Sequence, residues 1–301
     1  MQRYAEFTLS NKLLAMTSDK ALLIFLPIIT ALVGCSANLP SLLPASQPQS
    51  APANRQTSRA VTAVPLNYDA YDAILQRYVN EQGFVDYRGL QVNPEPLKAF
   101  NRSLGEVDPD TFAAWGEADQ IAFLINAYNA FTLESIIDQR PLKASIRDIP
   151  GVWRIRKFQV AGQSKTLDAI EHQTLRKNYQ EPRIHAALNC TAISCPPLRT
   201  EPYRGETLDA QLEDQVHRWL NSPEGLQINR EANQVSISAI FDWFGEDWIA
   251  EYATDGFSGN EKQRAALNFI SSYISPADRH YLQQGNYRVS YLDYNWELNS
   301  Q

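Results

Sequence analysis

One stretch constrains this chain more than any other: "ADQIAFLINAYNAFTLESII", residues 118–137. Coiled into a helix it is apolar on nearly every face, so it must be a central helix wrapped by the rest of its domain. Two asparagines interrupt it, Asn126 and Asn129, one turn apart. An asparagine amide inside a helix competes for backbone partners, so each needs specific hydrogen bonds. Either they brace neighbouring loops, or one of them orients a catalytic histidine.

The covering elements are readable on both sides. "YDAYDAILQRYVNE" carries Tyr71, Ile74, Leu75 and Tyr78 at helical spacing before "GF" breaks it. "TLDAQLEDQVHRWL" puts Leu208, Leu212, Val216 and Trp219 on one stripe behind a Thr207 cap. "NEKQRAALNFISSYI" and "PADRHYLQQ" read as two further helices. Strand signals are fewer: Phe158 and Val160 alternate before "AGQS", "LQINREANQVSISAI" alternates on both sides of a polar turn, and "YRVSYL" alternates near the end. The expected fold is α+β, a mostly helical single domain over residues 66–301 packed on a small antiparallel sheet.

What precedes that domain has a different character. Lys20 leads into "ALLIFLPIITALVG", which ends at Leu32-Val33-Gly34-Cys35, the order of a charged region, an apolar region and a small-residue cleavage point. The apolar run of about 14 residues is short of the roughly 20 that span a bilayer. The tetrapeptide "LVGC" has the form of a lipobox, so residues 1–34 read as a lipoprotein signal peptide with Cys35 as the lipidated first residue of the mature chain; Met16 is an alternative start. Ser36 follows where an aspartate is absent, which in a double-membrane bacterium fits passage to the outer membrane. Residues 35–65, rich in Ser, Ala, Gln and Pro with no apolar period, read as a disordered tether from the lipid anchor. The net charge of −7 gives no electrostatic footprint for nucleic acid.

Chemistry-bearing residues concentrate in two later segments. In "TLDAIEHQTLR" Leu167, Ile170 and Leu175 form an inner face, while Asp168 and His172, four apart, point the same way beside Glu171. A carboxylate next to an imidazole fixes its tautomer and raises its basicity, although a surface ion pair has the same spacing. "RIHAALNCTAISCPPLR" holds His185, Cys190 and Cys195. A metal is not expected, because His-x4-Cys-x4-Cys lacks zinc spacing and a fourth ligand; no cofactor is expected either. The two thiols, left over after lipidation of Cys35, can close a small ring worth about 2 kcal/mol, and Pro196 biases Cys195 toward an extended conformation that suits a bridge. Alternatively Cys190 is a free nucleophile. Its base would be His172, with Asp168, Glu171, Asn126 or Asn129 as orienter; His185, facing elsewhere on its helix, is the poorer partner.

"FLINAYNAFTL", "SIRDIPGVW", "TLDAIEHQTLR", "RIHAALNCTAISCPPLR", "IFDWFGEDW" and "YLDYNWELN" occur in that order, and together the chain from 66 to 298 resembles the domain of unknown function 547 family. The resemblance implies no established activity. It sets the family's motif positions on Asn126 to Asn129, Glu171 with His172, and Cys190, and its plant members can carry serine where this chain has Cys195.

Three functions remain open. The first is acyl transfer or amide hydrolysis in a cleft of the Asn126 helix, the His172 helix and the Cys190 loop. The second is a binding protein for a peptide or glycan, with Asn129, Tyr128, His185 and a bridged Cys190–Cys195 loop at its site. The third is sugar hydrolysis through Glu246 or Asp247 in "IFDWFGEDW", where acids adjoin Trp243, Phe244 and Trp248.

Overall fold

A computed structural model describes residues 66–301. The expected signal peptide, lipidation site at Cys35 and tether lie outside the described residues. Four helices lead in: α1 (Tyr68–Tyr78), α2 (Tyr87–Val92), α3 (Glu95–Glu106) and α4 (Pro109–Ala114). Local side chains start three of them. Asn67 accepts from the Asp69 and Ala70 amides, Asp86 from Gly89, and Asp108 from Asp110 and Thr111 with Pro109 already preset for the helix.

The central helix is α5 (Glu117–Ile137), buried without a break from Ile121 to Leu133. Its hydroxyls are satisfied internally, Thr132 donating to the Tyr128 carbonyl and Ser135 to that of Phe131. Around it pack Tyr71 stacked on Phe100 at 4.3 Å, and Phe131 stacked on Phe158 at 4.3 Å. Phe158 opens a hairpin of β1 (Phe158–Val160) and β2 (Gln163–Lys165). Its two-residue turn, Ala161-Gly162, has positive φ at both positions, the geometry that matches strand twist.

The next helix begins as α6 (Leu167–Ile170), widens into a π turn over Glu171–Leu175 and narrows again as α7 (Arg176–Asn178). Thr166 caps it, accepting from the Ala169 amide, and Leu167, Ile170 and Leu175 face inward as their spacing predicts. The short α8 (Ile184–Ala187) precedes the cysteine loop, and α9 (Leu208–Leu220) follows it. Thr207 does not cap α9 through its side chain: a 3-10 turn over Gly205–Thr207 leads into the helix, and the Thr207 hydroxyl turns back to the Arg204 carbonyl at 3.5 Å.

The remainder runs β3 (Leu226–Asn229), β4 (Gln234–Ile237), α10 (Ile240–Trp243), α11 (Glu246–Tyr252), α12 (Glu261–Ser271), α13 (Pro276–Gln283) and β5 (Arg288–Tyr291). The fold is α+β and mostly helical, as expected, but the larger sheet is mixed. β4 pairs antiparallel with β3 through Leu226↔Ile237 and parallel with β5 through Val235↔Val289. The reason is the connection: β4 and β5 are joined by four helices, a crossover that returns the chain in the same direction, whereas a tight hairpin would reverse it.

Two apolar clusters result. The first gathers around α5; the second holds Trp219, Phe241, Trp248 and Phe269. α9 serves both, Leu208 and Leu212 in the first and Val216, Trp219 and Leu220 in the second. α8 does the same with Ile184 and Ala187 against Ala186. His185 and the cysteine loop therefore lie where the two clusters meet.

Candidate functional site

The π turn sets the His172 ring. On one side its Nε2 is 3.8 Å from Asp168 Oδ1, and Asp168 also faces Arg154 Nε at 3.7 Å. On the other, its Nδ1 lies 3.2 Å from Arg176 Nη1. A guanidinium has only donors, so Nδ1 is the acceptor and the ring proton sits on Nε2, toward Asp168. Asp168 and His172 do face the same way. The lone pair with which His172 would take a proton as a general base faces the Arg176 guanidinium. Wide helical turns of this kind are frequent at functional sites.

Arg176 carries the site across to α11. Its Nε meets Asp247 Oδ2 at 2.6 Å and its Nη2 meets Oδ1 at 2.9 Å, a two-pronged grip, while the guanidinium lies over the Phe244 ring at 4.8 Å. His185, 3% exposed, donates from Nε2 to the same Oδ2 at 2.7 Å and stacks on Phe244 at 4.6 Å. Burial pushes the Asp247 carboxyl up, but the hydrogen bonds from His185 and Arg176 outweigh it and hold the group well below the usual carboxylate range. His185 is thus a buried structural donor. Glu246 is also held low, its desolvation outweighed by the ion pair with Lys262 at 2.6 Å. A glycosidic acid must hold its proton near neutral pH. Both acids of "GED" are driven the other way, and Asp247 is already committed to Arg176 and His185, so neither is placed as the proton donor of sugar hydrolysis.

Cys190 and Cys195 are joined in a disulfide, their Cα atoms 6.1 Å apart. A bonded sulfur carries no thiolate, so the free Cys190 nucleophile gives way to the bridged alternative. The phenol of Tyr294 lies 3.2 Å from the Cys190 sulfur and 3.1 Å from that of Cys195; having the only hydrogen of the three groups, it is the donor. The Cys190 amide also donates to the Cys195 sulfur, at 3.0 Å. Thr191, inside the ring, is held at φ +66°, which a β-branched residue rarely adopts.

The loop is tied from both sides. Asn129 donates to the Ala187 carbonyl at 3.0 Å and accepts from the Asn189 amide at 2.8 Å, and Asn189 in turn donates to the Pro196 carbonyl and accepts from the Thr191 amide. The C-terminal residues lace the other edge: Ile193 donates to Glu297, Ser194 to Asn295, and Asn299 to Thr191. Asn126 acts similarly elsewhere, donating to the Tyr203 carbonyl at 2.7 Å and accepting from the Tyr203 amide at 2.9 Å. Both asparagines brace loops, and among the described residues neither hydrogen-bonds His172. Tyr128, expected at a ligand site, is 2% exposed and belongs to the first core; Glu171 is also buried, within electrostatic reach of Arg176.

Beside the bridge lies a group of partly exposed rings. Trp243 and Tyr294 are 4.7 Å apart, Tyr294 and Trp296 4.6 Å, Trp243 and Trp296 stack at 5.7 Å, and Trp153 meets Trp296 edge-on at 6.2 Å. The backbone links it to the histidine helix, since the Asp168 amide donates to the Trp153 carbonyl, and Phe244 packs between Trp243 and His172. Phe244 and the Trp153 carbonyl thus connect the histidine helix to the ring group, and among the described residues no hydrogen bond joins Cys190 to His172. Arg176, Asp247 as its partner, Tyr294, Trp153 and Trp296 are site residues that the spacing of the sequence did not single out. Their only signal was membership of the quoted motifs "TLDAIEHQTLR", "IFDWFGEDW", "SIRDIPGVW" and "YLDYNWELN".

Fold and site together define a helical α+β domain in which a disulfide-closed loop adjoins an aromatic surface. Residues 112–220 match the family model described as protein of unknown function, DUF547. That span contains α5, the π turn and the disulfide loop, while Asp247, Tyr294 and Trp296 fall beyond it. No curated protein and no solved structure matches the chain.

Proposed function

We propose that the protein is an envelope-anchored binding protein that holds a glycan chain against the rings of Trp153, Trp243, Tyr294 and Trp296. The observation that carries this reading is the grouping of those four partly exposed rings beside a bridged, multiply tied loop. Flat aromatic faces suit the C–H faces of sugar rings, and Asp168, whose amide donates to the Trp153 carbonyl, brings a carboxylate and the Nε2–H of His172 to that side as partners for hydroxyl groups. A bridged loop is already ordered, so little entropy is lost on binding. Acyl transfer would need a thiolate at Cys190, which the bridge removes. Anchoring rests on the lipobox ending at Cys35 and on the composition of the tether.

The test is titration of the exported protein with soluble oligomers of β-1,4-linked N-acetylglucosamine, read by tryptophan fluorescence and calorimetry. Saturable binding that weakens by more than about tenfold in Trp296→Ala is expected, the loss typical of a central aromatic anchor. No binding, or binding indifferent to that substitution, overturns the reading.

A further inference from the structure

We propose that the Cys190–Cys195 bridge is an exchangeable disulfide that takes a small-molecule thiol onto Cys190 and releases Cys195 as the thiolate. This goes beyond the glycan reading and does not depend on it. Three features of the loop point the same way. The first is access: Cys195 is 6% exposed and Cys190 is partly exposed, so an incoming nucleophile reaches Cys190 first. The second is the leaving group. Exchange is faster when the departing sulfur is stabilised as an anion, and the Cys195 sulfur already accepts from the Cys190 amide at 3.0 Å, with the Tyr294 phenol at 3.1 Å. Such donors do little for a neutral disulfide and much more for the thiolate that replaces it. The third is Thr191, held inside the ring at φ +66°, a conformation that a β-branched residue rarely adopts.

The step balances without an oxidant or reductant beyond the thiol itself. The thiolate R–S⁻ attacks the Cys190 sulfur, an R–S–Cys190 bond forms as the bond to Cys195 breaks, and the electron pair leaves on the Cys195 sulfur. The incoming sulfur is oxidised to the disulfide level and Cys195 is reduced. Return attack by Cys195 expels R–S⁻ and restores the bridge. The burial of Cys195 and the ties on its loop keep the leaving sulfur close for that return.

Glutathione is the probe. The native exported protein is exposed to it briefly, quenched in acid, alkylated and digested, and the segment holding both cysteines is sequenced by mass spectrometry. Glutathione on Cys190 with the alkyl group on Cys195 is the expected product. Glutathione predominantly on Cys195, or no exchange until the protein is denatured, overturns the proposal. A second arm uses Tyr294→Phe, whose loss of one hydrogen bond to the leaving thiolate should slow exchange about tenfold while its urea midpoint stays that of the parent. An unchanged rate in a folded variant also overturns the proposal. Failure of the N-acetylglucosamine titration leaves both arms readable.

Discussion

His185 donates from Nε2 to Asp247 Oδ2 at 2.7 Å across 62 positions of chain, and Arg176 grips the same carboxylate with two nitrogens. Arg176 also donates to His172, so the π turn is fastened to α11 through one guanidinium. The ionised carboxylate is the hub on which a cation and a buried imidazole converge.

Replacing Asp247 by Asn should therefore be expensive. It leaves the Arg176 charge without its counter-ion at a site where the carboxylate is 22% exposed, and losing one partner of such a pair costs about 3–5 kcal/mol. Urea unfolding of the variant should show that loss. A change below about 1 kcal/mol would mean that the cluster contributes no more than a surface pair.

The same carboxylate gives a pH dependence of known sign. Its folded pKa lies below the unfolded value of about 3.9, so its contribution is fully present above that value and is lost as the pH falls toward the folded pKa. Between about pH 5 and about pH 2 the parent should lose stability more steeply than Asp247→Asn. Parallel curves would show that other carboxylates govern the acid limb.

Asn126→Ala and Asn129→Ala each orphan a buried carbonyl and a buried amide, which predicts a loss of roughly 2–4 kcal/mol apiece. Only the Asn129 change should also speed hydrogen exchange at the Asn189 amide, because only Asn129 reaches the cysteine loop. Equal exchange in the two variants would contradict the separate bracing roles.

Two glycines separate collision from strain. Gly83 has φ +84°, and a methyl there would lie 2.6 Å from the Leu198 amide nitrogen and 2.8 Å from the Pro197 Cα. Gly285 has φ +69° with nothing within 4 Å. Gly285→Ala should cost only the conformational term of about 1 kcal/mol, and Gly83→Ala at least twice that, measured as shifts in unfolding midpoint.

The parts of this molecule set by local spacing were legible in the sequence. Leu167, Ile170 and Leu175 point inward, Asp168 faces His172, and the unbroken apolar stretch around Asn126 is the central helix. What escaped depends on tertiary pairing. Nothing in the order of residues says that the guanidinium four positions after His172 will cover its lone pair, or that an acid of "GEDW" will serve as hub for Arg176 and His185. The parallel pairing of β5 is of the same kind, since alternation marks a strand without giving its direction. The two asparagines announced a need for partners, and only the fold assigns them to the backbones of Tyr203, Ala187 and Asn189.

The most direct test of the account is whether the loop is bridged in the native protein purified without reductant. Cleavage after Arg183 and Arg199 releases both cysteines in a single peptide, and alkylation under denaturing, non-reducing conditions marks every free thiol. The account predicts that this peptide carries no alkyl group until a reductant is added. Alkylation of Cys190 and Cys195 before reduction would contradict it and return Cys190 to candidacy as a nucleophile.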